Sequence, residues 1–316
     1  GVPLKTESDG RMFPTTDSSD SIIDALLNEA RSLGVDIRTE CGLAAVEPTE
    51  DGFDLSCTNG DRITTHSLML ATGGLHASIG MKTAAALGHT IVPPIPSLFT
   101  FNIKHSLLKD LPGLSVTPVV ARVEGCKHLV QEGPLLITHW GVSGPAILKL
   151  SAWGARDLAN LEYTFSVIIN WLCHQSPEDT ADQIASCRTA RSKQGIHTKS
   201  PFPTIPRRLW ERMVELAGIP TETPWTHLSK TQAQALVELL TRSKLPVSGK
   251  STNKEEFVTS GGVRLNEIDM KTFESRKHPG LFLAGEMIDV DGVTGGFNFQ
   301  AAWTGGTLAG QAMAER

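Results

Sequence analysis

The 316-residue chain has no apolar run near the ~18 residues needed to cross a bilayer, so a membrane-spanning helix is not expected. Cysteine is sparse: Cys41, Cys57, Cys126, Cys173 and Cys187 are odd in number, widely spaced and form no Cys-x-x-Cys pair. That argues against a disulfide framework or a zinc site and for a reducing, cytoplasmic setting, with each thiol read as buried or incidental. Residues 1–20 are polar and acidic, unlike a secretory signal. No internal repeat, low-complexity tract, Ser-His-Asp set or paired-carboxylate set stands out. A net charge of −5 gives no global reason to expect nucleic acid or an anionic membrane as partner. Hydrophobic residues at 40% and charged residues at 20% are ordinary for a globular chain, with room for one large domain or two smaller ones.

What the chain does have is a C-terminal segment, Leu281-Phe-Leu-Ala-Gly285-Glu286 through Asp289, Asp291, Gly295-Gly296-Phe297-Asn298-Phe299. A short apolar strand breaks at Gly285 into an acidic, glycine-dense loop, and a helix follows from Asn298 to Arg316. Small residues Ala302, Gly305, Gly306, Ala309 and Gly310 recur along that helix at close-packing intervals. Gly295 and Gly296 let backbone approach a ligand, and free N–H groups at a helix start favour an anionic or electron-rich partner. Glu286, just past the strand, suits the hydroxyls of a ribose or ribityl chain. The plain alternative is a tight turn before a closely packed helix. A second strand ending in glycines, Ser67-Leu-Met-Leu-Ala-Thr72-Gly73-Gly74-Leu75, lies far upstream.

Between them the texture changes twice. A helix over 22–33 presents Ile22, Ile23, Leu26, Leu27, Ala30 and Leu33 on one face and ends at Gly34. Val35–Ile37 alternates like a strand, and Phe53–Cys57 and Arg62–Thr64 form a hairpin about Asn59-Gly60. A short helix, Met81–Leu87, leads to Val92-Pro-Pro-Ile-Pro96, where the prolines exclude helix and central strand and mark a domain exit. Residues 97–170 alternate in short stretches, suggesting a β-barrel or sandwich with a helix at Pro145–Trp153. Residues 174–245 read as helical, clearest at Arg207–Leu216 and Thr231–Leu240. The expected architecture is α/β, with a nucleotide-binding domain in two parts (1–96 and 263–316) interrupted by a β-barrel and helical insertion (97–262).

With Gly10-Arg11-Met-Phe13-Pro14, Thr138-His139-Trp140-Gly141-Val-Ser143-Gly144-Pro145 and Val258-Thr-Ser-Gly261-Gly262-Val263 added, the ordered set resembles one bacterial flavoprotein family. These are the NAD(P)/FAD-dependent oxidoreductases that include aminoacetone-oxidase-family and BaiN-like FAD-binding enzymes. The resemblance covers nearly the whole chain. It implies an FAD-dependent oxidoreductase with a Rossmann-like FAD domain, a small-molecule substrate and NAD(P)H as a candidate electron donor. It places Gly295, Gly296, Phe297 and Asn298 against the isoalloxazine ring, Glu286 at the ribityl or pyrophosphate region, and Thr72, Gly73 and Gly74 on the other side of the dinucleotide. Gly285 and Asp289 complete the candidate cofactor set. Cofactor-borne chemistry also accounts for the lack of a catalytic triad.

Arg11 is a candidate for a substrate carboxylate or the flavin edge, against the alternative of a surface ion pair. His139 is a candidate substrate-facing group, against a packed, hydrogen-bonded histidine. Asp291 is read as a solvated loop carboxylate. Seven Lys/Arg stand between Arg188 and Arg212 against a single acid, Glu211; a solvated helical face is expected there rather than a nucleic-acid site. No metal site is expected, and the oligomeric state is left open.

Two departures from the family pattern stand out. The family opens with a strand, a Gly-x-Gly-x-x-Gly turn and a helix that bind the FAD pyrophosphate, and residues 1–316 contain no such turn. After Gly74 the family carries a Gly-Ser-Thr-Gly-Asp-Gly-Tyr stretch, whereas here Ile79-Gly80 runs straight into Met81. Three readings follow: a partial chain of a flavoprotein oxidoreductase, which is the expectation; a truncated relative acting as a binding protein; or a polyanion-binding module through 188–212. An in-frame Gly-x-Gly-x-x-Gly segment upstream of the Gly1 codon would support the first.

Overall fold

The computed structural model describes residues 1–7, 10–74, 78–251 and 258–316; Leu75, the last residue of the upstream glycine motif, lies outside them. The chain divides into two compact units, one of residues 1–94, 261–290 and 295–316, the other of residues 95–260 and 291–294. Among the described residues no helix is long and apolar enough to cross a membrane.

The first unit is α/β and Rossmann-like. Its central sheet runs in the order Ile268–Asp269, Glu274–Ser275, Leu281–Leu283, Leu68–Leu70. Only the last pair is parallel, with Leu281 opposite Leu68, Phe282 opposite Met69 and Leu283 opposite Leu70. Leu281, Phe282 and Leu283 are fully buried, as expected of a strand covered on both faces. Helix Ile79–Ala86 contributes Met81 and Ala84 to this core, and helix Phe297–Ala314 contributes Ala309. Beside them stands a three-stranded antiparallel sheet, Leu43–Pro48, Phe53–Cys57 and Arg62–Thr65, whose hairpin turns at Gly60 with φ +93°.

One expectation for this unit fails. Val35–Ile37 forms no strand, because a strand needs a ladder partner and none pairs with it among the described residues; Val35 and Ile37 are exposed. The helix before it spans Asp20–Ser32, as its pattern predicts, and buries none of its residues: Ile23 is 50% and Leu26 59% exposed, and Leu33, just past its end, 72%.

The second unit is built on a seven-stranded sheet ordered Ser243–Ser248, Thr164–Asn170, Ser115–Val123, Val130–Ile137, Gly141–Ser143, Thr100–Asn102, Lys250–Ser251. Among the described residues the expected barrel is not closed by hydrogen bonds. The two end strands are consecutive in sequence, joined at Gly249 (φ +142°), but each pairs only with its own neighbour, 243–248 with 164–169 and 250–251 with 100–101. Helix Pro145–Trp153 forms where Pro145 presets the first turn and Gly144 (φ +92°) ends the preceding strand. Helices Pro177–Ala190, Arg207–Leu216 and Lys230–Thr241 share a core in which Trp210 and Trp225 stack at 6.3 Å. The proline-bearing segment Ile91–Ser97 is extended and pairs with Val258–Val263 in a two-stranded ribbon, where each strand keeps an open edge that tolerates proline.

Candidate functional site

The parallel register fixes the geometry of the first unit's candidate site. Leu68–Leu70 and Leu281–Leu283 run side by side in the same direction, so the residues that follow them emerge at one sheet edge. Thr72-Gly73-Gly74 and Gly285-Glu286 therefore come together although they are far apart in sequence. The Thr72 hydroxyl lies 3.1 Å from Met287 Sδ, and Ala284 N donates to Leu70 O at 3.4 Å. Gly73 (φ +79°) and Gly285 (φ +68°) are left-handed at the two strand ends, a conformation that favours glycine. Ligands of such sheets bind at the carboxyl ends of the strands.

Helix Phe297–Ala314 starts at the same unit's Gly296, which is left-handed at φ +87° and has no side chain to cap the first turn. Unlike helix Ile79–Ala86, whose Ser78 hydroxyl accepts from Met81 N at 3.2 Å, this start carries backbone donors and the positive end of the helix dipole without a side-chain acceptor from its cap. Phe297 and Phe299 are 60% and 68% exposed, and the Phe299 ring stacks on Trp303 at 5.8 Å. Close packing holds the helix down: a Cβ at Gly305 would lie 2.9 Å from the Phe273 ring and 3.1 Å from Ala284 Cβ. Asp289 is pinned by its backbone N–H, which donates to Val263 O at 3.0 Å. Glu286 and Asp289 are both half-buried.

The two catalytic candidates are placed differently. Arg11 stands on the exposed hairpin Leu4–Thr6 and Met12–Pro14, with its guanidinium over the Phe13 ring at 5.6 Å. His139 belongs to the second unit, in the exposed turn between Val130–Ile137 and Gly141–Ser143. There it lines a cleft of about 610 Å³ with Lys104, His105, Lys109 and Thr138. The basic stretch 188–212 is engaged locally. Arg207 pairs with Glu211 at 2.7 Å, Arg208 bonds the Asp110 carbonyl, and Arg212 lies 3.6 Å from both Asp110 and Glu215.

Sequence reasoning missed a buried polar network at the other end of helix Ile79–Ala86. His89 Nδ1 lies 3.0 Å from Glu267 Oε2, and the same oxygen accepts from Thr90 N at 2.9 Å. Lys277 Nζ reaches the other Glu267 oxygen at 3.0 Å. Ser275 Oγ accepts from the N–H groups of Lys277 and His278, so its own hydrogen is available to His89 Nε2 at 3.0 Å. Burial lowers the His89 pKa, outweighing the pull of Glu267, so the ring is neutral with its proton on Nδ1. Burial tends to raise Glu267, but the Thr90 donors, Lys277 and His89 together hold it down at about 2. Gly88-His89-Thr90 gave no local sign of this, because every partner comes from residues 267–278.

The glycine-bearing strand ends, the helix start at Gly296 and the arrangement of the first unit agree with a family comparison. Residues 1–312 match the HI0933-like protein Rossmann domain. The chain belongs to the HI0933-like family. This is a family of FAD-binding oxidoreductases. Similar family relatives include the ribosomal RNA dihydrouridine synthase of Escherichia coli K12, 30% identical over 96% of this chain and 74% of that protein. Another is the 3-dehydro-bile acid delta(4,6)-reductase of Clostridium scindens, 30% identical over 97% of this chain and 76% of that protein. A third is the ribosomal RNA dihydrouridine synthase of Haemophilus influenzae, 28% identical over 96% of this chain and 75% of that protein.

Proposed function

We propose that residues 1–316 carry the flavin-facing part of an FAD-dependent oxidoreductase that reduces a carbon–carbon double bond conjugated to a carbonyl in a small-molecule substrate. The observation that carries the reading is the parallel register of 68–70 with 281–283, which sets two left-handed glycine ends side by side. The residues present fit a flavin: backbone free to approach closely at Gly73, Gly285 and Gly296, a helix start without a cap side chain, and two exposed phenylalanines. When bound, the flavin supplies the hydride transfer.

In this reading the chain's own residues bind and orient. N–H groups of the first turn after Gly296 stabilise negative charge on the ring's oxygen and nitrogen edge. Phe297 and Asn298 would hold the ring, and Glu286 would accept from polyol hydroxyls. Asp289 steadies the loop between them. Thr72, Gly73 and Gly74 approach the dinucleotide from the neighbouring strand. No Gly-x-Gly-x-x-Gly turn occurs in residues 1–316, and the matched stretch covers about three quarters of each relative.

The reaction class is supported by the relatives' names. Forming a dihydrouridine and reducing a delta(4,6) 3-dehydro steroid both add two hydrogens across a double bond conjugated to a carbonyl. NAD(P)H is proposed as the donor. An RNA uridine is the second reading, supported by the names of two relatives.

The test is flavin content and turnover of the full-length protein. A flavin spectrum is expected, and Gly296→Val, strained at φ +87°, should weaken FAD binding about tenfold or more, equivalent to at least ~1.4 kcal/mol. A colourless protein that leaves FAD fluorescence unquenched would sink the flavin reading. Reoxidation of the reduced enzyme by a steroid dienone but not by an rRNA fragment supports the small-molecule substrate; the reverse result transfers the assignment to RNA.

A further inference from the structure

Three side chains of different chemistry converge on the second unit's sheet, outside everything assigned above. Glu132 lies opposite Val120 in the neighbouring strand, and Val120 lies opposite Asn170, the last residue of the next strand. Glu132 is thus level with the end of strand Thr164–Asn170, two strands away, and with the turn that follows it. The turn after Asn170 is stiffened by that residue's own side chain, which accepts from Leu172 N at 3.0 Å and donates to Gln175 O at 3.0 Å. Within the turn Cys173 is left-handed at φ +61°. Consecutive side chains of extended chain point to opposite sides, and one left-handed residue breaks that alternation. In this turn Cys173 and His174 both face Glu132.

There His174 Nε2 lies 2.8 Å from Glu132 Oε2, and the thiol, imidazole and carboxylate ligand atoms all lie within 4.8 Å of one another. Among the described residues this is the single group of three or more His, Cys, Asp and Glu so close together.

We infer that Glu132, Cys173 and His174 form a binding site for a divalent transition-metal ion of the zinc class, with the fourth coordination position open to solvent. One sulfur, one nitrogen and one oxygen donor suit a borderline ion, whereas calcium and magnesium take oxygen ligands. Zinc bonds of about 2.0–2.3 Å in a tetrahedron set ligand atoms roughly 3.3–3.7 Å apart. The His174–Glu132 contact therefore opens by about half an ångström, and the thiol closes in. The side chains of His174 and Glu132 are 75% and 52% exposed, so both have room to move and water reaches the fourth position. Without an ion, burial and the nearby Glu132 charge hold the Cys173 thiol above its ordinary range. Binding then releases the thiol proton. One ligand comes from strand Val130–Ile137 and two from the turn after Asn170, so the lack of a Cys-x-x-Cys pair does not bear on this site.

Cobalt(II) titration of the reduced full chain tests the site. The expected result is saturation at one ion per chain, a thiolate-to-cobalt charge-transfer band in the near ultraviolet, four-coordinate visible bands, and displacement by zinc but not magnesium. Cys173→Ser, near-isosteric and checked for an unchanged melting temperature, should lose the charge-transfer band. His174→Ala and Glu132→Gln should lose saturation at one equivalent. The site is overturned if cobalt gives no charge-transfer band, or if the band survives in Cys173→Ser and so arises from another thiol such as Cys41 or Cys57.

Discussion

His89 Nδ1 donates to Glu267 Oε2 across 3.0 Å, and the His89 side chain is fully buried. This hydrogen bond ties the chain after helix Ile79–Ala86 to the segment preceding the central sheet. Both partners have pKa values below their ordinary ones, so both act on stability in the same direction. Below about 6.5 the unfolded chain protonates histidine while folded His89 stays neutral, and stability falls. Glu267, held at about 2 when folded, contributes stability present above its unfolded value of about 4.3 and lost as pH falls toward 2. Urea denaturation against pH should show a loss beginning near 6.5 and deepening below about 4.5. Glu267→Gln should cost about 1–3 kcal/mol at neutral pH by leaving buried donors poorly paired, and should flatten the lower part of the curve.

Gly80 is a point of close contact beside the candidate cofactor site. A Cβ there would lie 2.0 Å from Thr72 Oγ1 and 2.9 Å from Met287 Sδ. Gly80→Ala should destabilise the chain by roughly 1–3 kcal/mol through overpacking. It should also displace Thr72, so thermal melting and FAD affinity are expected to fall together.

The apolar face of helix Asp20–Ser32 is uncovered in the first unit, with Leu26 59% exposed. In residues 1–316 Leu26→Ser should change stability by no more than about 0.5 kcal/mol, the usual range for a surface site. A measured cost of about 2–5 kcal/mol would instead mark this face as core.

Because Arg207, Arg208 and Arg212 are committed to local partners, the Arg207→Ala/Arg208→Ala double variant should leave RNA retention on a filter unchanged. A clear loss of retention would restore stretch 188–212 as a polyanion site.

The sequence made the short apolar strand before Gly285, the glycine turn and the following helix legible, because each rests on local pattern. Helices 207–216 and 230–241 were readable from periodicity for the same reason. Strands 268–269 and 274–275 escaped notice because two residues carry no period. Val35–Ile37 alternated correctly and still formed no strand, since alternation cannot supply a partner. The resemblance to flavoproteins brought Thr72 and Gly295 into one hypothesis; the register of two buried strands brings Thr72 and Gly285 into one place. The buried histidine and the Cys173–His174 pair were out of reach, because their partners depend on long-range pairing.

The same register has a consequence for how the molecule is made. The strand at 281–283 is synthesised long after its partner at 68–70, whereas nearly all of the second unit is one unbroken stretch, 95–260. The second unit can condense on the ribosome while Leu68–Leu70 waits with its edge unpaired, since domains fold as units during synthesis and long-range pairings form slowly. Nascent chains stopped before residue 281 should therefore hold a protease-resistant core from the second unit and a first unit still open to chaperones.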